Sequence, residues 1–334
     1  MKKNSIIRSL LAIVVMLALA VSMTACGSSS SPTEAAAEAP AAENEQFVVY
    51  SFGPMTGGAA WGAFEDGFYA ACEELGWEGH YLAPTTDNDW AAIINLHETA
   101  ITNGANALMT FALDPSAYAD ILDRAQEEGI HLVGIYNDDP HNVGYIGTNP
   151  VGLGEAEAVA LCELMEGKDI YCISMQSDLS NQAQIDQVDA FEAKLKELRP
   201  DATLVSREAC NSSAQTAQDR LSALCTAHPE INSLVSFDSY AGLGAAAYVA
   251  AEGLEDSFTV VGIDAAKEIF LCIQDGSMKA TVAQAWYTMG YEGVKLVEKV
   301  KNGEDIPWYT DPGTPIVYAE NLEQMIDELH VDMS

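Results

Sequence analysis

Ser257–Gln284, SFTVVGIDAAKEIFLCIQDGSMKATVAQ, decides how the rest of the chain is read. Phe258 to Ile263 is a short apolar run rich in β-branched residues, as in a strand buried on both faces. Asp264 ends that strand and opens a helix over Ala265–Gln274, which stops at Asp275-Gly276. Met278 to Ala283 is a second strand, closed by Gln284. Strand, helix and strand of these lengths make a βαβ crossover, so the two strands run parallel in a sheet with helices on its faces. Ligands of such sheets sit beyond the carboxyl ends of the strands. Asp264 and Gln284 stand at two such ends and offer polar groups to one crevice.

Outward from this stretch, strand and helix alternate. Strands are expected at Phe47–Phe52, Gly79–Leu82, Ala105–Phe111, Leu132–Tyr136 and Val143–Ile146. Helices fall near Trp61–Leu75, Trp90–Thr102 and Ser116–Glu128. Asn149-Pro150 marks a break. A second series follows, with strands near Ile170–Met175, Thr203–Arg207, Ser233–Phe237 and Phe258–Ile263. Its helices lie near Gly152–Met165, Ala183–Leu198, Ala214–Ala227 and Tyr240–Ala251. Two consecutive series mean two parallel-sheet lobes of an α/β protein, each similar to a Rossmann half. At 334 residues, 49% of them hydrophobic, the chain can fill two cores.

The motif V-V-G-I-D, a helix, D-G, and a short strand ending A-Q resembles the C-terminal signature of type I periplasmic sugar-binding proteins. That family includes the ribose-binding and autoinducer-binding receptors of ABC importers. Phe64-Glu65-Asp66-Gly67-Phe68, Thr226-Ala227-His228-Pro229 and the run Leu234–Gly244 resemble it too, in the same order and spacing. The resemblance covers about Phe47 to Pro315. It implies two lobes joined by a three-strand hinge, with the chain crossing back after Gln284 and again near Gly313. The expected lobes are 46–148 with 282–312, and 149–281 with 313–334. It also implies a small sugar or sugar-like ligand in the cleft, delivery to an ABC permease, a monomer, and no cofactor.

Residues 1–25 read as a targeting segment: Lys2, Lys3 and Arg8, an apolar core over Leu10–Val21, then a small-residue exit. Cys26 follows at once, which resembles a bacterial lipobox. Cleavage before Cys26 and lipid on its sulfur would place the protein outside the cytoplasm, anchored to the outer face of the cell membrane. An ordinary secretory signal with an incidental cysteine is the alternative. The Ser/Pro/Ala/Glu-rich stretch up to residue 45 has no apolar face and reads as a tether.

Charge narrows the partners. Fifty Asp and Glu stand against fifteen Lys and Arg, for a formal net charge of −35. Phosphate backbones would be repelled, so nucleic acid is excluded as a partner. The six cysteines beyond Cys26 show no C-x-x-C or His/Cys clustering, so they are expected as free buried thiols with no metal site.

The loops at strand ends carry the candidate ligand contacts. After the first strand comes Phe52-Gly53-Pro54-Met55-Thr56-Gly57-Gly58, where glycines would let backbone approach a ligand. Trp61 follows; in sugar-binding relatives an aromatic here stacks on the sugar ring, so it is expected as a ligand contact, the alternative being that it staples its helix to the lobe. Phe52 is either a ligand contact or the last core residue of its strand. Asp114-Pro115 reads as a helix cap. After the fourth strand comes Tyr136-Asn137-Asp138; ribose-binding relatives carry Asp-Arg where Tyr136-Asn137 fall, whereas autoinducer-binding relatives have an aromatic followed by an acid-rich turn, and Asn137 can both donate to and accept from hydroxyls. Gln184 stands where sugar receptors place an arginine, and Asn211 and Asp238 match contact positions of relatives. Asp238, Asp264 and Gln284 complete the set, and either aspartate could also cap the helix that follows it.

From Phe47 to Thr148 the only Lys or Arg is Arg124, inside a helix. Arg207 and Lys267 lie only at the margins of the candidate loops. A ligand carboxylate or phosphate would lack a cationic partner. The ligand is therefore neutral and polyhydroxylated, or cationic and held by aromatics and acids. A receptor that reports its ligand to a signalling partner would share this site. An enzyme would need a nucleophile with its base, or a carboxylate pair set for glycoside cleavage. The six histidines show no such spacing, so no catalysis is expected.

Overall fold

The computed structural model describes residues 46–334 except 58, 87, 88 and 113. The targeting segment, Cys26 and the tether lie outside the described residues. In chain order the elements are β1 (Val48–Phe52), α1 (Ala59–Leu75), β2 (Glu78–Leu82), α2 (Trp90–Thr102), β3 (Ala107–Thr110), α3 (Pro115–Glu127), β4 (His131–Ile135) and β5 (Tyr145–Ile146). Then come α4 (Pro150–Leu164), β6 (Tyr171–Gln176), α5 (Gln182–Leu198), β7 (Thr203–Ala209), α6 (Ala214–Ala227), β8 (Ser233–Ser236), α7 (Ser239–Glu252), β9 (Thr259–Ile263) and α8 (Lys267–Asp275). The chain ends with β10 (Ala280–Val282), α9 (Trp286–Lys301), β11 (Tyr309–Thr310), β12 (Ile316–Tyr318) and α10 (Leu322–Glu328).

Two six-stranded sheets result, ordered β11-β5-β4-β3-β1-β2 and β12-β10-β9-β8-β6-β7. Every pairing is parallel except β10 with β12. Val282 pairs with Ile263, so the βαβ unit read from Ser257–Gln284 is present, with its strand ends level. The α/β class with two parallel-sheet lobes is thus met. Strands β1, β3, β4, β8 and β9 are buried almost throughout, which explains their unbroken apolar runs.

The chain passes between the sheets three times, after β5, after β10 and after β11. Helix α9 packs on α1 in the first lobe, where Gly67 and Gly290 let the backbones nearly touch: a Cβ on either would lie 2.1 Å from a carbonyl oxygen of the other helix. The first core joins Phe52, Phe64, Phe68 and Leu108 to Met289 and Val297 of α9. The second lobe holds two apolar clusters, one on each face of its sheet, around Phe270 and Phe191. Among the described residues the six cysteines are unpaired thiols, with Cys72, Cys172 and Cys210 buried as expected but Cys162, Cys225 and Cys272 only half-buried. Among the described residues no group of His, Cys, Asp and Glu is arranged to hold a metal ion, and no helix is long and apolar enough to cross a membrane.

Candidate functional site

A cavity of about 180 Å³ opens where the carboxyl ends of strands from both sheets meet. Tyr136 after β4 and Thr148 after β5 come from the first sheet's side. Gln184 and Gln187 on α5, Phe237-Asp238-Ser239 after β8, Asp264 after β9 and Gln284 after β10 come from the second. This is well below the roughly 300–1,000 Å³ of drug-sized pockets, so the space suits a small solute. A larger groove of about 450 Å³ lies between α5 and the start of β7. It is open surface beside the edge strand β7, and its Arg207 is already paired with Asp189 and Glu192.

Asp264 is the centre of the site. Its backbone is left-handed, with φ 77°, an uncommon conformation for a residue with a side chain. The turn is held by Asp264 N donating to Val282 O at 3.0 Å and by Thr281 Oγ1 donating to Asp264 O at 2.9 Å. The carboxylate accepts from Gln284 Nε2 at 2.7 Å and from the Ser239 hydroxyl. Burial raises its pKa and neighbouring Asp238 adds to this, while the bonds from Ser239 and Gln284 oppose it. The sequence led us to expect that Asp264 opens its helix. Instead α8 begins two residues later than expected, with Ala266 at its N-cap and no side-chain cap. The left-handed turn carries Asp264 away from the helix and toward Gln284.

Asp238 does cap its helix. Its Oδ1 accepts from Tyr240 N at 3.0 Å and Ala241 N at 3.2 Å while the residue also lines the cavity. Gln184 lines the cavity too, but its side chain knots three elements together. Its Oε1 accepts from Ser177 N at 3.1 Å and Ser177 Oγ at 2.8 Å, and its Nε2 donates to Phe237 O at 2.9 Å.

Tyr136 faces Asp264 across the cavity, also with a left-handed backbone, φ 69°. Burial of its hydroxyl, and then the nearby Asp264 charge, raise its pKa. Its ring stacks on Trp286 at 5.7 Å and 12°. Trp61 packs on Trp286 and on Phe111, both at 5.1 Å, and Trp90 extends the cluster through Phe111. Aromatic side chains thus form the first lobe's floor under Tyr136, while carboxylates and amides furnish the second lobe's wall.

The remaining sequence candidates fall elsewhere. Phe52 is fully buried and stacked on His97 at 3.6 Å, as the last core residue of its strand, and it lies outside the cavity lining. Trp61 is 9% exposed and staples α1 into the aromatic cluster without lining the cavity. Gly53 faces protein side chains, since a Cβ there would fall 1.8 Å from the Tyr81 hydroxyl and 2.9 Å from the Trp61 ring. Asn137 turns inward, donating to Ala112 O and Asp138 O, and Asp138 is exposed beside it. Asn211 is exposed with φ 53° and lies outside the lining. Thr148, Gln187 and Ser239 line the cavity without having been singled out. Ser239 had a usable signal, being the residue after Asp238 at the end of a strand; Gln187 is set by which way α5 faces.

The model of the periplasmic binding protein domain matches residues 49–305. The chain belongs to the periplasmic binding protein family. The resemblance to its type I sugar-binding members, read from Ser257–Gln284, is met. A D-ribose/D-allose-binding protein of Pseudomonas aeruginosa is 25% identical over 232 residues, 65% of this chain and 70% of that protein. A D-apiose import binding protein of Actinobacillus succinogenes is 25% identical over 238 residues, 70% and 75% respectively. A sugar ABC transporter sugar-binding protein from Bacillus halodurans superimposes with TM-score 0.76 at 21% identity, over 84% of this chain and 99% of that one. An arabinose binding protein from Geobacillus stearothermophilus superimposes with TM-score 0.73 at 20% identity, over 84% and 98%. At these identities the two structures speak for the fold.

Proposed function

We propose that this family member captures a small neutral sugar between its lobes and delivers it to an ABC permease from outside the cytoplasm. The observation that carries the reading is the cavity wall, where Asp238, Asp264 and Gln284 converge and, among the described residues, no Lys, Arg or His lines the space. Carboxylate oxygens keep lone pairs free for hydroxyl donors, and the Tyr136 ring offers an apolar face to a sugar's C–H surface. The two curated relatives are named for ribose, allose and apiose, all neutral sugars. On this reading, 46–148 with 282–312 and 149–281 with 313–334 close as lobes about the three crossings, burying the solute. Cys26 carries the lipid that holds the protein at the membrane, and the protein acts as a monomer without catalysis.

One observation favours a second reading. Two carboxylates share the wall, with no cationic partner among the described residues, an arrangement that also suits an amino sugar or quaternary amine. A thermal-shift panel separates the two. The full-length protein in detergent is unfolded and refolded to strip carried ligand, then screened with D-ribose, D-arabinose, D-apiose, D-galactose, D-glucosamine, choline and D-glucuronate. A ligand at 100 times its dissociation constant stabilises by about 2.7 kcal/mol. A shift with a neutral sugar supports the proposal, one confined to the amines replaces the ligand class, and one with glucuronate sinks both.

A further inference from the structure

Behind the cavity lies a carboxyl that the site as described does not use. Glu157, midway along α4, is fully buried. Its Oε1 accepts from Gln187 Nε2 at 2.8 Å, and among the described residues its buried Oε2 has no partner. The contact is built into the backbone. At Gly154, one turn before Glu157, a Cβ would lie 2.1 Å from Gln187 O, so α4 and α5 meet this closely only because Gly154 lacks a side chain. Gln187 is itself 4% exposed and lines the cavity.

An ionised carboxylate held by one amide in a dry interior is costly. Burial raises the Glu157 pKa well above its ordinary value; the Gln187 bond opposes this, and the Asp264 charge adds to it. Burial thus favours the protonated carboxyl, which can both donate and accept. The Gln187 amide has an acceptor end and a donor end, and the end that Glu157 does not hold is left for the cavity.

We propose that Glu157 is a positioning residue: by holding one end of the Gln187 amide, it fixes which hydrogen-bonding group Gln187 presents to a sugar hydroxyl in the cavity. In the observed arrangement the Gln187 NH2 is held, which leaves its carbonyl to accept from the hydroxyl. The inference rests on the sugar reading of the cavity.

The test uses full-length protein in detergent and has two arms. In the first, D-ribose, D-arabinose and D-galactose are titrated calorimetrically into wild type, E157L, E157Q, Q187A and E157L/Q187A. For a sugar that wild type binds, E157L should weaken affinity roughly tenfold, the scale of one hydrogen bond. E157Q, which keeps a donor and an acceptor, should restore it. E157L should add nothing on the Q187A background. In the second arm, the Gln187 side-chain NH2 resonances, assigned by their absence in Q187A, are followed by NMR without sugar. They should be resolved in wild type and E157Q and collapse in E157L. Wild-type affinity in E157L, or an unmoved Gln187 amide in E157L, overturns the proposal. Loss of the amide pair in E157L with its return in E157Q, but no sugar bound by any protein, upholds the positioning role and sinks the sugar reading alone.

Discussion

Gln284 Nε2 donates to Asp264 Oδ1 at 2.7 Å, tying the end of β10 to the end of β9. Ser239 holds the other carboxylate oxygen, so Asp264 joins three strand ends at the cavity. Replacing Asp264 with Ala leaves the Gln284 amide and the Ser239 hydroxyl without their charged acceptor and removes the ligand's. Sugar affinity should fall by about 1.5–3 kcal/mol, the range for hydrogen bonds to a charged group. Isothermal titration decides it: an unchanged dissociation constant removes Asp264 from the site.

Binding should also depend on pH through the same carboxylate. Burial raises the Asp264 pKa, with Asp238 adding to the shift and the Ser239 and Gln284 bonds opposing it. A ligand that donates hydroxyls binds the ionised form. Affinity should therefore hold at neutral pH and decline on acidification, beginning above the ordinary carboxylate range. Asp264→Asn, already weakened, should show no such decline. A flat profile in wild type would contradict the assignment.

The βαβ unit and the two-lobe α/β plan were legible because buried parallel strands are unbroken apolar runs, and Phe258–Ile263 is one. Asp238, Asp264 and Gln284 were legible because position at a strand's carboxyl end is a matter of sequence order. Left-handed turns were not: Asp264 was expected at a helix start, and the bonds to Val282 and Thr281 that hold its turn come from a neighbouring strand. Nor was side-chain direction at the end of β1, where Phe52 turns into the core onto His97. The return of 282–312 to the first lobe was implied by the resemblance, but Trp286 escaped notice because no local pattern announces which α9 side chain meets Trp61, 225 residues away along the chain.

That aromatic floor should be a stability element in its own right. Trp286 is 8% exposed and contacts both Trp61 and Tyr136. Trp286→Ala should cost about 3–5 kcal/mol, as for large-to-small changes of buried aromatics. Urea unfolding measures it. A cost under about 1 kcal/mol, the level of surface substitutions, would mean that α9 is not anchored there.

Glu157 should set how stability varies with pH. Its pKa is raised in the folded protein by burial, so the native state binds its proton more tightly than the unfolded chain. Stability from this group is full below the unfolded value and is lost as pH rises through the folded one, at up to about 1.4 kcal/mol per pH unit. Glu157→Gln removes that loss. The variant should unfold at a higher temperature than wild type near pH 8, and the difference should shrink toward about pH 4, where both carry a neutral side chain. A difference that does not change with pH would show that Glu157 keeps an ordinary pKa.

Two glycines should respond with opposite sign to the same substitution. At Gly290 on α9 a Cβ would sit 2.1 Å from Phe64 O and 2.9 Å from Phe68 N, and backbone atoms of α1 cannot rotate away as a side chain could. Gly290→Ala must push α9 off α1 and should destabilise by about 1–3 kcal/mol, the scale of overpacking. At Gly152 in α4 the nearest atom to an added Cβ is Asn149 Cβ at 3.8 Å, ordinary contact. Nothing resists the methyl there, and Ala is a better helix former than Gly, so Gly152→Ala should stabilise by up to about 1 kcal/mol. Urea midpoints at unchanged slope give both values. Destabilisation by both would mean that α4 does not tolerate a side chain on its first turn, and tolerance by both would mean that α1 and α9 are not in backbone contact.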